Sequence, residues 1–233
     1  MRINGFAGIS LIDFPGRVSS IIYTSPCNFK CPFCHNASLI EKNDNVIQDF
    51  FILSEIKKRK NFIDAVVITG GEPTLQDDLE DFLFKIKDIG LKIKLDTNGY
   101  LPEKVRKLVN KNLVDYIAMD IKSSKEKYSK ACGVNINLKK ILETIKIIMT
   151  SGIDYNFRTT CVPELVKKED IGKIGEMIKG AKLYILQQYD NENVYSEEYK
   201  KIFPYSEKEI EEFAEIAKKY VEEVRINNLS KVF

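Results

Sequence analysis

Residues 65–96 read AVVITGGEPTLQDDLEDFLFKIKDIGLKIKLD, and this stretch decides the fold. Ala65 to Thr69 is a short apolar run rich in β-branched side chains, which reads as a buried strand. Gln76 to Ile89 then places Leu79, Phe82, Leu83 and Ile86 at helical spacing, and Leu91 to Asp96 returns to strand. Strand, helix and strand in so short a span form a βαβ unit, because parallel strands need a crossover long enough to hold a helix.

The same alternation extends both ways. Upstream lie a strand at Ser20 to Thr24 and a helix at Asp49 to Lys60. Downstream come a helix at Pro102 to Asn110, a strand at Tyr116 to Asp120, a helix at Leu138 to Met149 and a strand at Tyr155 to Thr160. A helix at Glu169 to Lys179, a strand at Lys182 to Gln188 and an amphipathic helix from Ser206 to Val221 complete the series. Pro102 suits a helix start, and Ser151-Gly152 a helix stop. Six strands, each followed by a helix, predict an α/β fold of parallel units. A full eight-unit barrel takes about 250 residues, so a partial (βα)6 TIM-like barrel fits better, while an open doubly wound sheet shares the pattern. No repeat or Pro/Gly/Ser-rich linker divides the chain. The expectation is one domain over residues 1–233, with an extended lead-in (1–19), the partial barrel (20–221) and a C-terminal tail (222–233).

The composition narrows the function. Of 233 residues, 44% are hydrophobic and 30% charged, with a net charge of +2. That near-neutrality gives no broad basic field for nucleic acid. No signal-like opening and no run of about 18 apolar residues appears, so the expectation is a cytoplasmic protein with no membrane partner. Three of the five cysteines fall within eight residues, which points to metal rather than to disulfides.

Those three stand in Ser25-Pro26-Cys27-Asn28-Phe29-Lys30-Cys31-Pro32-Phe33-Cys34-His35-Asn36, directly after the first strand, where loops face the catalytic end of a βα barrel. Four thiolates fill a cubane, whereas three leave one iron open to a ligand. A Cys3His zinc site using His35 is the alternative, although His35 abuts Cys34 without the usual ligand spacing. Three further strands end in Thr69-Gly70-Gly71-Glu72-Pro73, Asp96-Thr97-Asn98-Gly99 and Met119-Asp120-Ile121-Lys122, and Arg158 ends the fifth. Paired glycines let a backbone come close to a ligand that any side chain would block. Asp96 and Asp120 supply carboxylates, and Lys122 a cation. Cys132 and Cys161 stand apart and read as buried apolar thiols.

Over nearly its whole length, the chain resembles the radical S-adenosylmethionine (radical SAM) superfamily, through its C-x3-C-x2-C motif and its GGEP-like second strand end. Within it, the opening Gly5-Phe6 followed by Ser10-Leu11-Ile12-Asp13-Phe14-Pro15-Gly16 is similar to activating proteins of anaerobic ribonucleoside-triphosphate reductase. Ser25-Pro26 departs from the glycine common before the first cysteine. The resemblance implies that Cys27, Cys31 and Cys34 hold a [4Fe-4S] cluster. It also implies that Phe33, Gly70, Gly71, Glu72, Asp96, Asn98, Lys122 and Arg158 bind S-adenosylmethionine. Asp96, Thr97, Met119 and Asp120 would frame a monovalent cation. The implied chemistry is one-electron cleavage of the sulfonium to methionine and a 5'-deoxyadenosyl radical, which takes a hydrogen from a glycine Cα of a partner enzyme. A flavodoxin- or ferredoxin-like protein would donate the electron. With no residues to build a lid, the expected substrate is large and covers the barrel mouth itself. Alternatives are an activase of a pyruvate formate-lyase-like enzyme, a small-molecule enzyme such as a 7-carboxy-7-deazaguanine synthase, or a non-catalytic iron-sulfur electron carrier.

Overall fold

The structure, a computed structural model, describes residues 1–42 and 44–227. Eight strands lie in one sheet in chain order: β1 (Ile3–Phe14), β2 (Arg17–Thr24), β3 (Ala65–Gly70), β4 (Lys92–Thr97), β5 (Tyr116–Asp120), β6 (Asp154–Cys161), β7 (Leu183–Gln188) and β8 (Glu223–Asn227). All neighbours pair in parallel except β1 and β2, which are antiparallel. The connections carry α1 (Asp49–Arg59), α2 (Leu79–Ile89), α3 (Pro102–Asn110), α4 (Tyr128–Cys132), α5 (Leu138–Met149), α6 (Lys168–Met177) and α7 (Glu207–Ala217). The six expected units are therefore present, from β2 to α7. Among the described residues β1 and β8 do not pair, so the barrel is open along one side.

Two strands lie where the sequence reading placed none. The lead-in is β1, whose pairing with β2 shifts register between Ile3 and Gly5, between Ala7 and Ser10, and between Ser10 and Phe14. Each shift breaks the period-2 alternation that would have announced a strand. The expected tail contains β8, where Val224 and Ile226 alternate with Glu223, Arg225 and Asn227. Residues 228–233 of that tail lie outside the described residues.

Alternation along the strands builds two cores. Val66, Ile68, Ile93, Leu95, Ile117 and Met119 point outward into the main core under the helices, all fully buried. Burying each aliphatic side chain contributes roughly 1.5–3 kcal/mol. Ile21, Ala65, Val67, Tyr116 and Ala118 point inward and fill the lower barrel with Phe14. Strands buried on both faces read as unbroken apolar runs, which is why β3 was legible. The helices start where their sequences dictate: Pro102 opens α3, Asn137 accepts from the Lys139 N–H before α5, and Ser206 and Glu209 form a capping box on α7.

Candidate functional site

Each parallel strand delivers its last residues to the same end of the barrel, and there the inward positions change from apolar to charged. Cys27, Cys31, Cys34, Gly70, Gly71, Asp96, Asn98, Asp120, Lys122 and Arg158 line one cavity of about 260 Å³, with Phe33 in its wall. It shares Arg158, Gln187 and Gln188 with a larger groove of about 1090 Å³ that runs along the open side.

The loop bearing the cysteines is held from several directions. The Cys27 N–H donates to the Ile40 carbonyl at 3.0 Å, and the Cys34 N–H to the Cys31 carbonyl at 3.0 Å. The Ser196 N–H reaches the Pro32 carbonyl at 2.9 Å, so the segment between β7 and α7 does come to rest on this loop. All three thiols are free. Burial pushes the Cys27 thiol up to about 12, reinforced by Glu72, and raises Cys34 as well. A metal reverses this, since a coordinating thiol loses its proton outright. The Phe29 N–H lies 3.4 Å from the Cys27 sulfur and the Asn98 amide 3.8 Å, donors suited to a thiolate. Among the described residues no three His, Cys, Asp or Glu side chains form a group able to hold a single metal ion. That counts against the Cys3His zinc arrangement. A cubane spreads three thiolates over three irons, and three free thiols on one cavity wall fit it.

The glycine pair has a reason of its own. A Cβ on Gly70 would lie 2.4 Å from the Thr24 nitrogen, and one on Gly71 2.5 Å from the Pro26 carbonyl oxygen. Their smallness lets the end of β3 pass the end of β2 and the cysteine loop. The Glu72 side chain is fully buried and is not part of the cavity lining. It accepts from the Thr97 hydroxyl at 2.7 Å, the Asn98 N–H at 2.7 Å and the Thr74 N–H at 3.1 Å, tying the ends of β3 and β4 together. Burial raises its carboxyl despite these bonds.

Across the barrel runs a continuous row of charges. Lys94 donates to Asp96 at 2.5 Å; Arg158 donates to Asp96 at 3.1 Å and to Asp120 at 2.8 Å; Lys122 donates to Asp120 at 3.0 Å. Burial alone would raise both carboxyls, but Arg158 with Lys94 holds Asp96, and Arg158 with Lys122 holds Asp120, below the usual carboxylate range. Three cations face two carboxylates in this row, and burial lowers Lys94 against the pull of Asp96 and Asp13. Lys122 also lies 5.9 Å from the centre of the Phe33 ring.

The expected cation frame does not assemble in this arrangement. The oxygens of Asp96 and Asp120 are taken by Lys94, Arg158 and Lys122, and the Thr97 hydroxyl by Glu72. Met119 neighbours Asp120 on a strand, so its side chain points to the opposite face and packs in the main core. In this arrangement each of the carboxylate oxygens of Asp96 and Asp120 already has a protein partner. Lys94, a member of this row, is a residue that the sequence reading missed. Its signal was available, for it stands two residues before Asp96 on one strand and so shares its face.

Comparison with known proteins accords with this geometry. The profile of the Radical SAM superfamily matches residues 21–178. A protein of Methanocaldococcus jannaschii, named as an inferred glycyl-radical enzyme activating enzyme, is 36% identical over 237 residues, covering 99% of this chain and 98% of its own. Among solved structures, a domain of pyruvate-formate lyase-activating enzyme from Bacteroides vulgatus shares the fold, with a TM-score of 0.56 at 20% identity, over 70% of this chain and 98% of that one. Streptococcus suis SuiB bound to its precursor peptide SuiA has a TM-score of 0.69 at 17% identity over 89% of this chain, which spans about half (48%) of SuiB. A three-cysteine loop at the mouth of a partial βα barrel, a profile match over most of the chain and a full-length relative together establish that this protein belongs to the radical SAM superfamily.

Proposed function

We propose that this protein is a radical SAM activase that installs a glycyl radical on a partner enzyme, with anaerobic ribonucleoside-triphosphate reductase the first choice of partner. The observation that carries the reading is the single cavity where three thiols meet the ends of β3, β4, β5 and β6. The full-length likeness to a protein named for glycyl-radical enzyme activation supports the activase class.

In this reading Cys27, Cys31 and Cys34 hold a [4Fe-4S] cluster. The cluster they would hold would supply one-electron reductive cleavage of S-adenosylmethionine to methionine and a 5'-deoxyadenosyl radical, the species that would take the glycine Cα hydrogen. The chain's own part is to bind and to orient. Lys122 would attract the methionine carboxylate, and the Gly70-Gly71 backbone, which lines the same cavity, would meet the ammonium. Phe33 offers a buried ring for the adenine. The groove along the open side admits a glycine-bearing segment next to the cavity. No side chain is needed as acid or base, because a hydrogen atom rather than a proton is transferred. A flavodoxin- or ferredoxin-like donor, a cytoplasmic setting and a single domain over residues 1–233 complete the proposal; no described helix is long and apolar enough to cross a membrane.

The test is anaerobic reconstitution with iron and sulfide, reduction, addition of S-adenosylmethionine and assay of 5'-deoxyadenosine, with Cys31→Ala as control. Product from the wild type alone, followed by a glycyl EPR doublet on the added reductase, is the expected result. A well-formed, reduced cluster that yields no 5'-deoxyadenosine overturns it.

A further inference from the structure

The inner faces of β6, β7 and β8 carry a row of polar side chains with nothing to bond. Thr160 stands beside Gln187 across β6 and β7, and Gln187 beside Asn227 across β7 and β8. Cys161, Leu186 and Ile226, each adjacent in sequence to one of them, pack on the opposite face in the main core, so these three point into the barrel. Thr160 and Gln187 line the smaller cavity, and Gln187 and Asn227 the groove. The row therefore leads from the cavity out to the open side. Among the described residues none of the three side chains has a hydrogen-bond partner. Further down the same face of β6, Asn156 also lines the groove, 2% exposed and with its Oδ1 unpaired. This wall holds more hydrogen-bonding capacity than the chain itself uses, whereas buried polar groups are ordinarily satisfied.

We propose that Thr160, Gln187 and Asn227 hold the main chain of an extended peptide segment of neutral or basic character, with its glycine at the cavity end. This rests on the activase reading above and specifies how the protein substrate is held. Each amide offers a donor and an acceptor, and so does the hydroxyl, which matches the alternating N–H and C=O of a main chain. Two strand spacings make the row about 10 Å long, the reach of about three extended residues. A glycine has no side chain to hold the backbone away from this wall. Charge selects against a phosphate-bearing substrate. The groove's cations, Lys94 and Arg158, are already bonded to Asp96 and Asp120, while Asp13, Asp190 and Glu192 add carboxylates to its lining.

The probe is the peptide acetyl-Ala-Ala-Lys-Gly-Lys-Ala-Ala-amide. A rhodamine-labelled form is titrated with the reconstituted full chain and read by anisotropy. A form deuterated at the glycine Cα is incubated with the enzyme, S-adenosylmethionine and reductant, and read as deuterium in 5'-deoxyadenosine. Saturable binding and label transfer are expected in wild type. Gln187→Ala, Asn227→Ala and Thr160→Val should each weaken the peptide about three- to tenfold, the worth of one hydrogen bond, and Thr160→Ser should restore it. Methylating the amide nitrogens that flank the glycine Cα should cost wild type a similar factor and Gln187→Ala less, a coupling that a merely structural role would not produce. Exchanging both lysines for glutamate should weaken binding as well. No binding by wild type, wild-type affinity in all three variants, or equal methylation losses in wild type and Gln187→Ala overturns the proposal. Binding that follows the row while 5'-deoxyadenosine forms without deuterium overturns the placing of the glycine. No 5'-deoxyadenosine from a reduced cluster overturns the activase reading instead, and the anisotropy still decides the row.

Discussion

Replacing Gly71 by alanine probes whether the cysteine loop is positioned by backbone contact with the end of β3. The added Cβ would lie 2.5 Å from the Pro26 carbonyl oxygen and 2.8 Å from the Leu39 carbonyl oxygen, where ordinary contact begins at 3.4 Å. Both obstacles are backbone, one on each side of the cysteines, so no side chain can swing aside. About 0.9 Å must be found by moving the loop. The bonds at stake are Gly71 N–H to the Thr24 carbonyl (2.7 Å), Glu72 N–H to the Pro26 carbonyl (3.0 Å) and Cys27 N–H to the Ile40 carbonyl (3.0 Å). Losing two of them costs about 1 kcal/mol each, and residual overpacking about as much again, for a total of about 3 kcal/mol. Gly152→Ala is the reference, for its φ is +77° but nothing lies within 4 Å. It carries only the left-handed backbone cost, about 1 kcal/mol. At about 2–4 °C per kcal/mol for a chain of this size, thermal unfolding of the metal-free protein should fall roughly 6–12 °C for Gly71→Ala and 2–4 °C for Gly152→Ala. After reconstitution, only Gly71→Ala should bind less iron than wild type. Equal melting losses in the two variants, or full iron in Gly71→Ala, would refute the reasoning.

Three further outcomes are expected. Arg158→Ala strips a shared partner from two partly buried carboxylates; urea unfolding at neutral pH should show a measurable loss smaller than the roughly 3–5 kcal/mol of a broken, fully buried pair, and a loss within error would show that the row contributes nothing. Asp115 is raised by burial, but Lys87, Lys92 and the Ile93 N–H outweigh it and hold its carboxyl below 3.8. A depressed carboxyl stabilises the fold above its unfolded value and loses that contribution as pH falls through its folded value, so the stability deficit of Asp115→Asn should be full at about pH 6 and close in acid; a deficit that does not change with pH would contradict this. Because the carboxylates of Asp96 and Asp120 are already paired, exchanging sodium, potassium and a bulky organic cation at constant ionic strength should leave 5'-deoxyadenosine formation unchanged, and specific activation by potassium would restore the cation site.

The fold was legible where burial on both faces wrote unbroken apolar runs, as in Ala65 to Thr69, and where helices carried striped faces, as in Leu138 to Met149. It was not legible at the two edges. Bulges scramble the pattern of β1, and β8 shows only two apolar positions in five. The site followed the same division. The cysteines, the glycine pair and the carboxylates of β4 and β5 announce themselves by spacing and by their places at strand ends. What Glu72 and Met119 do depends on side-chain direction, which a strand-end motif does not report. The bond from the Lys30 N–H to the Cys132 carbonyl joins distant parts of the chain, with no local trace.

The row of charges and the apolar core are two faces of the same residues' neighbours. Asp120 is flanked in sequence by Met119 and Ile121, each fully buried, and the Asp96 strand carries Leu95 and Ile93 fully buried on its other side. Alternation thus nails each carboxylate to a position set by core packing, where interiors tolerate little displacement. A partly buried row of three cations and two carboxylates is weak as a source of stability, since desolvation offsets much of the attraction. Its value is positional. Arg158 spans β4 and β5 from β6 at hydrogen-bonding distance, so the three strand ends cannot splay without separating buried charges. The open side of the barrel removes the restraint that closure would give to strand spacing, and the row supplies a replacement at the level of the cavity. On this account the charged residues lock the barrel mouth as well as meet the ligand, and Arg158→Lys, which keeps the charge but not the fork, should lower the affinity for S-adenosylmethionine more than it lowers stability.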